Sequence, residues 1–503
     1  MKKGLNYLLV AFFVAAGLAL APVVSNAATL SFDPPVATVV PNSAFGMGVG
    51  ASGDFNNDGN LDYVIARHRN FDPYTRVTLM LGNGDGTFSA GAEILTGSSD
   101  LYGLKVGDVN NDGNLDIVTV HNHARAVAVT LGNGDGTFAT TVVMPVLPQG
   151  GRSVGLGDLN GDGYLDIIAG SSYNHTSVLL NNGDGTFGAP TNYGDPIFWG
   201  STDIEVADLD GDGDNDVVSA DVGSVDIYLN DGAGNLTKGQ RISSDAWSLV
   251  LADFDGDGNI DLAHADVHED VVKVYAGNGD GTFGAVVNHP VGDWPGSVKA
   301  ADLDGDGVLD LATANYWSNS ISVLLGDGAG SFAAATSLPD PLDLSVVRLP
   351  GNIDLGDYNG DGKPDVFNAN YAYRTFSVML NTTEFADPQV DLVVDIKPGS
   401  DKNPINLKSK GVTPVAVLST EDFDANTLDT ASLAFGPAGA APKKCHAEDV
   451  NEDGLDDLVC HFPTQDTGIG EGDESAELSG ETEDGTPAVG EDSVSIVPQK
   501  GKK

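Results

Sequence analysis

Asp158-Leu159-Asn160-Gly161-Asp162-Gly163-Tyr164-Leu165-Asp166, followed by Ile167-Ile168-Ala169, is the stretch whose reading decides the fold. Its nine-residue pattern is an Asp, an Asn or Asp two residues on, an Asp-Gly pair and a closing Asp. The pattern begins at Asp54, Asp108, Asp158, Asp208, Asp253, Asp302 and Asp357, at intervals of 45–55 residues. Seven matches at such regular spacing mark a repeat architecture. A short stretch such as Ser297-Val298-Lys299-Ala300-Ala301 leads into each acidic loop, and a β-branched run such as Asp116-Ile117-Val118-Thr119-Val120 leads out of it. A third apolar run ends in a glycine-rich turn, Gly82-Asn83-Gly84-Asp85-Gly86-Thr87-Phe88 in the first unit. The turn recurs at Gly132, Asn182 and Gly277, with weaker forms at Asn230 and Gly326. Glycines there supply the positive φ of a tight hairpin, and the phenylalanine opens a fourth strand. Four short strands per unit, repeated seven times, predict an all-β chain built on a seven-bladed β-propeller.

The ends of the repeat predict how the ring closes. The seventh unit runs out after its third strand, near residues 379–385, while Leu30-Ser31-Phe32-Asp33-Pro34-Pro35-Val36 reads as an orphan fourth strand. The N-terminal strand is therefore expected to complete the last blade.

Alternating side-chain oxygens in each loop surround a common centre, with the residue after the glycine offering its carbonyl and the ninth residue closing the far side. The predicted ligand sets are Asp54, Asn56, Asp58, Asn60 and Asp62; Asp108, Asn110, Asp112, Asn114 and Asp116; Asp158, Asn160, Asp162, Tyr164 and Asp166; and Asp208, Asp210, Asp212, Asp214 and Asp216. The remaining three are Asp253, Asp255, Asp257, Asn259 and Asp261; Asp302, Asp304, Asp306, Val308 and Asp310; and Asp357, Asn359, Asp361, Lys363 and Asp365. Oxygen-only ligation at this density suits Ca2+; Mg2+ demands stricter octahedral geometry, and zinc would call for His or Cys. An EF-hand needs an acidic twelfth residue and flanking helices. Here the twelfth positions are Ile65, Thr119, Ala169, Ser219, His264, Thr313 and Asn368, and the flanks read as strands. About seven calcium ions are expected in the propeller. At about 1.5 kcal/mol per site they would contribute ~10 kcal/mol to stability.

Composition narrows the function class. The chain has 73 Asp+Glu against 24 Lys+Arg, a net charge of −49, which repels phosphate backbones and anionic lipid surfaces. Residues 1–27 read as a signal peptide: Lys2 and Lys3 precede an apolar run over residues 5–21, and Ser25-Asn26-Ala27 offers a cleavage site. The expected location is extracellular, either released or attached at the cell surface, with a monomer as the expected state.

The pattern resembles the FG-GAP/VCBS repeat family, which includes the propeller of integrin α-subunits and of many bacterial surface proteins. Phe187-Gly188-Ala189-Pro190 carries the eponymous elements once, and Phe283-Gly284-Ala285 carries them in part. Over residues 28–390 the resemblance implies a propeller with a calcium ion in each matching loop. No segment resembles an integrin's inserted ligand-binding domain, so integrin-type recognition does not transfer.

Residues 391–503 have another texture. Short strands joined by Pro/Gly turns predict a small β-sandwich-like module, similar to modules at the ends of bacterial extracellular proteins. It contains an eighth acidic loop, Asp449, Asn451, Asp453, Leu455 and Asp457, expected to take a further calcium ion. The two cysteines, Cys445 and Cys460, flank that loop; a disulfide across a hairpin and a pair of free buried thiols are both open. The acidic stretch 468–491 is expected to be ordered, because Ala476-Glu477-Leu478-Ser479 and Ser493-Val494-Ser495-Ile496-Val497 read as closing strands.

Strand alternation puts the acidic loops on one face and the strand 4–1 crossovers and strand 2–3 turns on the other. Trp199, Trp247, Trp294 and Trp317 all fall in the second set, with Phe45, Tyr102, Tyr173, Tyr316, Tyr371 and Tyr373, and with His68, His121, His123, His175 and His268. Two readings stay open: a recognition surface for sugar or protein, or aromatics packed between blades. The histidines are either a metal or acid–base cluster or solvated loop residues.

No metalloprotease, Walker or dinucleotide motif is present. Gly151-Arg152-Ser153-Val154-Gly155 matches a nucleophile elbow, but it leads into a strand rather than a strand-to-helix turn. Three functions remain. The leading one is a non-enzymatic adhesion or recognition protein for a protein or cell-surface partner. The others are a calcium-dependent lectin and a secreted polysaccharide-degrading enzyme, for which Arg67, His68, Arg69 and His121 are the nearest cluster.

Overall fold

The structure is a computed structural model that describes residues 30–497 apart from 41–46, 68–74, 98–99, 146, 173–175, 195–199, 340–351, 371–374, 386–389, 401, 421–422, 452 and 484. The signal-peptide reading, Trp199, Phe45, His68, Arg69, Tyr173, His175, Tyr371 and Tyr373 lie outside the described residues, as does the side chain of Arg67. The chain divides into two compact units, with Ala27–Glu384 as one and Phe385 onward in the other. The break falls a few residues before the boundary expected at 390.

The first unit holds seven four-stranded antiparallel sheets. Blade 3 shows the plan: Gly151–Gly157, Asp166–Ser171, Thr176–Leu179 and Thr191–Tyr193, hydrogen-bonded in that order. The first strands of successive blades contact one another, and Ile353–Gly356 of blade 7 meets Met47–Gly53 of blade 1, so the sheets form a ring. The second strands are buried along their length, as in Asp116–His121 and Asp216–Asp221, because both faces pack on neighbouring blades. Convergence on the axis demands small residues. A Cβ on Gly155 would lie 2.6 Å from Ile204 Cγ2 of the next blade.

The fourth strands are less regular than the sequence implies. Phe88 and Phe283 do begin strands, but Phe138, Phe187 and Phe332 make only isolated bridges. In those blades the strand proper starts later, at Val142, Thr191 and Thr336. The phenylalanines there serve as wedges instead. Phe138 packs on Phe55 and Phe332 on Phe254, with ring centroids 5.9 and 5.6 Å apart.

Closure follows the expected route with a shifted register. The closing strand is Val36–Val39, which pairs antiparallel with Thr375–Met379, while Phe32 bridges to Asn381. An aromatic cluster marks this seam: Tyr63 stacks on Phe367 at 3.8 Å, and Phe376 lies 4.7 Å from Phe367 and 4.9 Å from Phe88.

The second unit contains two four-stranded sheets. One orders Val390–Asp391, Pro487–Ser493, Ser475–Glu481 and Ala434–Phe435; the other orders Val393–Ile396, Val412–Leu418, Asp457–Pro463 and Lys444–Glu448. Both contribute to one core that includes Ile396, Val415, Phe435, Phe462 and Leu478. Ser475–Glu481, Pro487–Ser493 and Ser495–Ile496 are strands. Among the described residues the one helical element is the 3-10 turn Ala425–Thr427, and no helix is long and apolar enough to cross a membrane.

Candidate functional site

Each acidic loop is knotted by its own backbone. In blade 3, Asp158 accepts from the N–H groups of Asp162 at 3.2 Å and Gly163 at 2.7 Å, and Asn160 Oδ1 accepts from Asp162 N at 3.0 Å. Asp162 Oδ1 accepts from Tyr164 N at 3.0 Å. The same bond to the seventh residue recurs at Asn60, Asn114, Asp214, Asn259, Val308, Lys363 and Leu455. The Lys363 ammonium donates instead to Thr383 O, which takes the side chain off the loop.

The ninth residue has a second task. Asp166 Oδ2 accepts from Leu159 N at 2.9 Å, while Oδ1 accepts from Asn181 N, at the end of the third strand, at 2.7 Å. Asp62, Asp116, Asp216, Asp261, Asp310 and Asp365 make the same two bonds, to the second loop residue and to the first residue of the glycine turn. In the eighth loop Asp457 accepts from Val450 N and Ser419 N. Each oxygen keeps a second lone pair that can face a cation.

The carbonyl of the second loop residue reaches the neighbouring blade, and this was not anticipated from the sequence. Phe55, Leu209, Phe254 and Tyr358 accept from the backbone N–H of Gly136, Gly281, Gly330 and Gly86 in the next blade's turn. Val109, Leu159 and Leu303 accept instead from the side-chain amides of Asn181, Asn230 and Asn381, at 2.7, 2.7 and 2.8 Å. The result is an unbroken ring of seven inter-blade bonds linking every acidic loop to the next. The Asn that replaces Gly at the head of three turns was the available signal.

Three loops gather carboxylate oxygens within 4.8 Å: Asp208, Asp210 and Asp216; Asp253, Asp255 and Asp261; and Asp302, Asp304 and Asp306. Blades 1, 2, 3 and 7 have Asn56, Asn110, Asn160 and Asn359 at the third position, which lowers the charge but keeps an oxygen. The residues fit a hard divalent cation. Asp304 Oδ1 is buried with no hydrogen-bond partner, and an isolated carboxylate oxygen in that setting calls for a positive charge. Burial, with Asp306 and Asp302 beside it, pushes the Asp304 carboxyl up to about 6. Burial also raises Asp62, Asp116, Asp166, Asp216, Asp261 and Asp365 to about 6 and Asp310 to about 7, against the pull of their N–H donors. A bound cation reverses that trend.

The other end of the blades carries the aromatics. Trp247 lies at the start of Ala246–Ala252, the strand whose far end runs into Asp253. Trp247 and Trp294 are 6.3 Å apart, and Trp294 and Trp317 6.1 Å apart and edge-to-face. Trp317, with 54% of its surface exposed, also packs against Tyr316 at 4.9 Å. The ladder is held rigidly. Trp294 has φ 59°, a left-handed conformation unusual for an aromatic residue. Its N–H donates to Asp270 Oδ1 at 2.7 Å, and its carbonyl accepts from Tyr316 N at 2.9 Å.

Of the histidines expected on this face, the described His121, His123 and His268 join no group of three potential metal ligands. His121 is fully buried beside Thr119, which corrects its expected place on the face: it ends an interior strand. His123 pairs with Asp100, and His268 pairs with Asp245 and packs on Trp294. Ser153 lies in a first strand, its hydroxyl 2.6 Å from Ser201 Oγ. Cys445 and Cys460 face each other across the hairpin that carries the eighth loop and are joined by a disulfide.

A family model described as FG-GAP-like repeat matches residues 54–119, 108–169, 158–219, 208–264, 265–313 and 309–368. No curated protein matches the chain. Among solved structures, the chain is similar to an Agrocybe aegerita lectin described as recognising non-reducing terminal N-acetylglucosamine. That match has 22% identity over 65% of this chain and 86% of the lectin, with a TM-score of 0.42. It is also similar to BBS1N in complex with ARL6DN, at 13% identity over 69% of this chain and 96% of the other, with a TM-score of 0.47. With its repeats matched from residue 54 to residue 368, well over half its length, the chain belongs to the FG-GAP-like repeat family.

Proposed function

We propose that this protein is an exported, calcium-stabilised recognition protein that engages a cell-surface partner through the face opposite its acidic loops, without catalysing a reaction. The observation that carries the reading is the Trp247–Trp294–Trp317 ladder. Large aromatic rings held in fixed orientation, with the outermost one exposed, offer binding area at little entropic cost. Support for calcium comes from the unpartnered Asp304 oxygen and the three carboxylate clusters. Support for export is the residue 1–27 pattern.

Two measurements test it. Calorimetry of the full chain should show a melting temperature that rises with millimolar Ca2+ and collapses with chelator; a curve indifferent to chelator removes calcium from the proposal. Labelled protein should bind intact cells or extracellular matrix in calcium, and Trp317→Ala should weaken that binding. Equal binding by the wild type and the variant would sink the aromatic face as the contact.

A further inference from the structure

The first strands of all seven blades enclose a cavity of about 400 Å³ on the ring axis. In blades 2 to 5 its lining comes mainly from the ends of those strands remote from the acidic loops, residues 102–105, 152–154, 201–203 and 247–248, so on that side it reaches toward the end of the ring that carries the tryptophans; in blade 1 it runs over residues 49–52, close to the loop that starts at Asp54. Trp247 belongs to both features: it lines the cavity and forms the inner rung of the ladder.

The volume is that of a small-molecule site, but such sites are lined mainly by apolar side chains. This one is lined by hydroxyls and by charges of both signs. Lys105 sits among acids and pairs with Glu205 at 2.5 Å. Burial alone would lower its ammonium, but Glu205, Asp203 and Asp354 outweigh that and hold it above the usual lysine range. Asp354 Oδ2 accepts from Ser52 N at 3.1 Å and Ser52 Oγ at 2.8 Å, and Asp203 Oδ2 accepts from Leu249 N at 3.2 Å. The lining holds three cations, Lys105, Lys299 and Arg152, against two acids, Asp203 and Asp354; Glu205, paired with Lys105 but not itself in the lining, brings the two signs to balance. The Trp247 Nε1–H is buried with no acceptor among the described residues.

We propose that the channel mouth binds the end of a neutral saccharide chain, with the sugars that follow lying along Trp294 and Trp317. The inference rests on the recognition reading above and names its ligand. Balanced charge in the pocket gives no net attraction for an anion, and a chain of net charge −49 repels one at long range. A ligand that fills a cavity of donors and acceptors must itself present both around its rim, or it leaves buried polar groups unmet. To continue along indole rings it must also present apolar faces. A sugar's hydroxyl rim and C–H face meet both demands. Trp294 holds its left-handed backbone conformation between the cavity and the exposed rung, and local strain of that kind clusters at sites pre-formed for binding.

The test is titration of the full chain, in millimolar Ca2+, with cello-, chito- and manno-oligosaccharides, with an oligouronate of similar length for comparison. Calorimetry and tryptophan fluorescence give the readout. At least one neutral series should bind, with Trp247→Ala and Lys299→Met each weakening it about tenfold or more. Trp247→Phe, which keeps a ring but drops the indole N–H, should retain part of the affinity. Melting curves confirm that each variant is folded. Sugar binding lost in Trp317→Ala but intact in both pocket variants would overturn the channel-mouth site and leave the recognition face standing. Binding of the oligouronate alone would overturn the neutral ligand. No sugar binding by folded protein that still binds cells through Trp317 would overturn the inference without touching the proposed function.

Discussion

A single carboxylate at the ninth loop position joins two strands of a blade before any ion arrives. Asp166 holds the N–H of Leu159 in the loop and of Asn181 just past the third strand, and both residues are buried. Replacing it with Ala strands two donors, and each unmet buried donor costs about 1–3 kcal/mol. Asp166→Ala should therefore lower stability by about 2–6 kcal/mol even in chelator, whereas Asp158→Ala should act mainly when calcium is present; denaturant unfolding in both conditions separates the two. His264 offers a residue-level pH effect. It is fully buried, stacks on Tyr275 at 5.8 Å, and burial lowers its imidazole from the ordinary value near 6.5 to about 4. The folded state thus resists the proton that the unfolded chain accepts. This residue's contribution is intact above pH 6.5 and is lost progressively as pH falls toward 4, by about 3 kcal/mol in all. His264→Phe should flatten that part of the pH–stability curve relative to wild type. Asn381 shows the limit of reading residues singly: its Asn-Thr-Thr triplet looks like a glycosylation acceptor, yet its side chain is buried and spent on Leu303 and Pro364.

At the scale of the element, the acidic loops are not equivalent. Blades 4, 5 and 6 have Asp210, Asp255 and Asp304 where the others have Asn, and affinity for a hard cation rises with ligand charge. Chelator titration followed by calorimetry should resolve two classes of site, with blades 1, 2, 3 and 7 emptied first. A single class of seven would mean that loop rigidity outweighs charge. The inter-blade bond likewise comes in two forms, a glycine N–H or an Asn side-chain amide, delivered to the same carbonyl. A Gly turn brings its own backbone close enough, whereas an Asn turn reaches with its side chain. In the hairpin Lys444–Glu448 and Asp457–Pro463 the disulfide stands directly across the register, and a loop of that length contributes about 3 kcal/mol.

For the whole molecule, the ring is only as stable as its seam. Val36–Val39 supplies the last strand of blade 7 across more than 300 residues of chain, and beside it the Tyr63, Phe367, Phe376 and Phe88 rings pack the join. Deleting residues 30–40 removes buried Val40 and leaves Thr375–Met379 as an open edge, and it should lower the melting temperature by about 5–10 °C. An unchanged melting curve would show that the aromatic seam closes the ring without the strand. The number of repeats, their strand order and the place of each acidic loop from Asp54 to Asp365 were legible in the sequence by itself. Strand alternation and loop chemistry are local, and a period near fifty residues repeats them seven times. Only the tertiary structure decided what meets across blades: the carbonyl of Leu159 with Asn230, Trp247 with Trp294, and Lys105 with Glu205 on the axis. Those partners sit in different repeats, where sequence periodicity reports that positions are equivalent but not which of them touch.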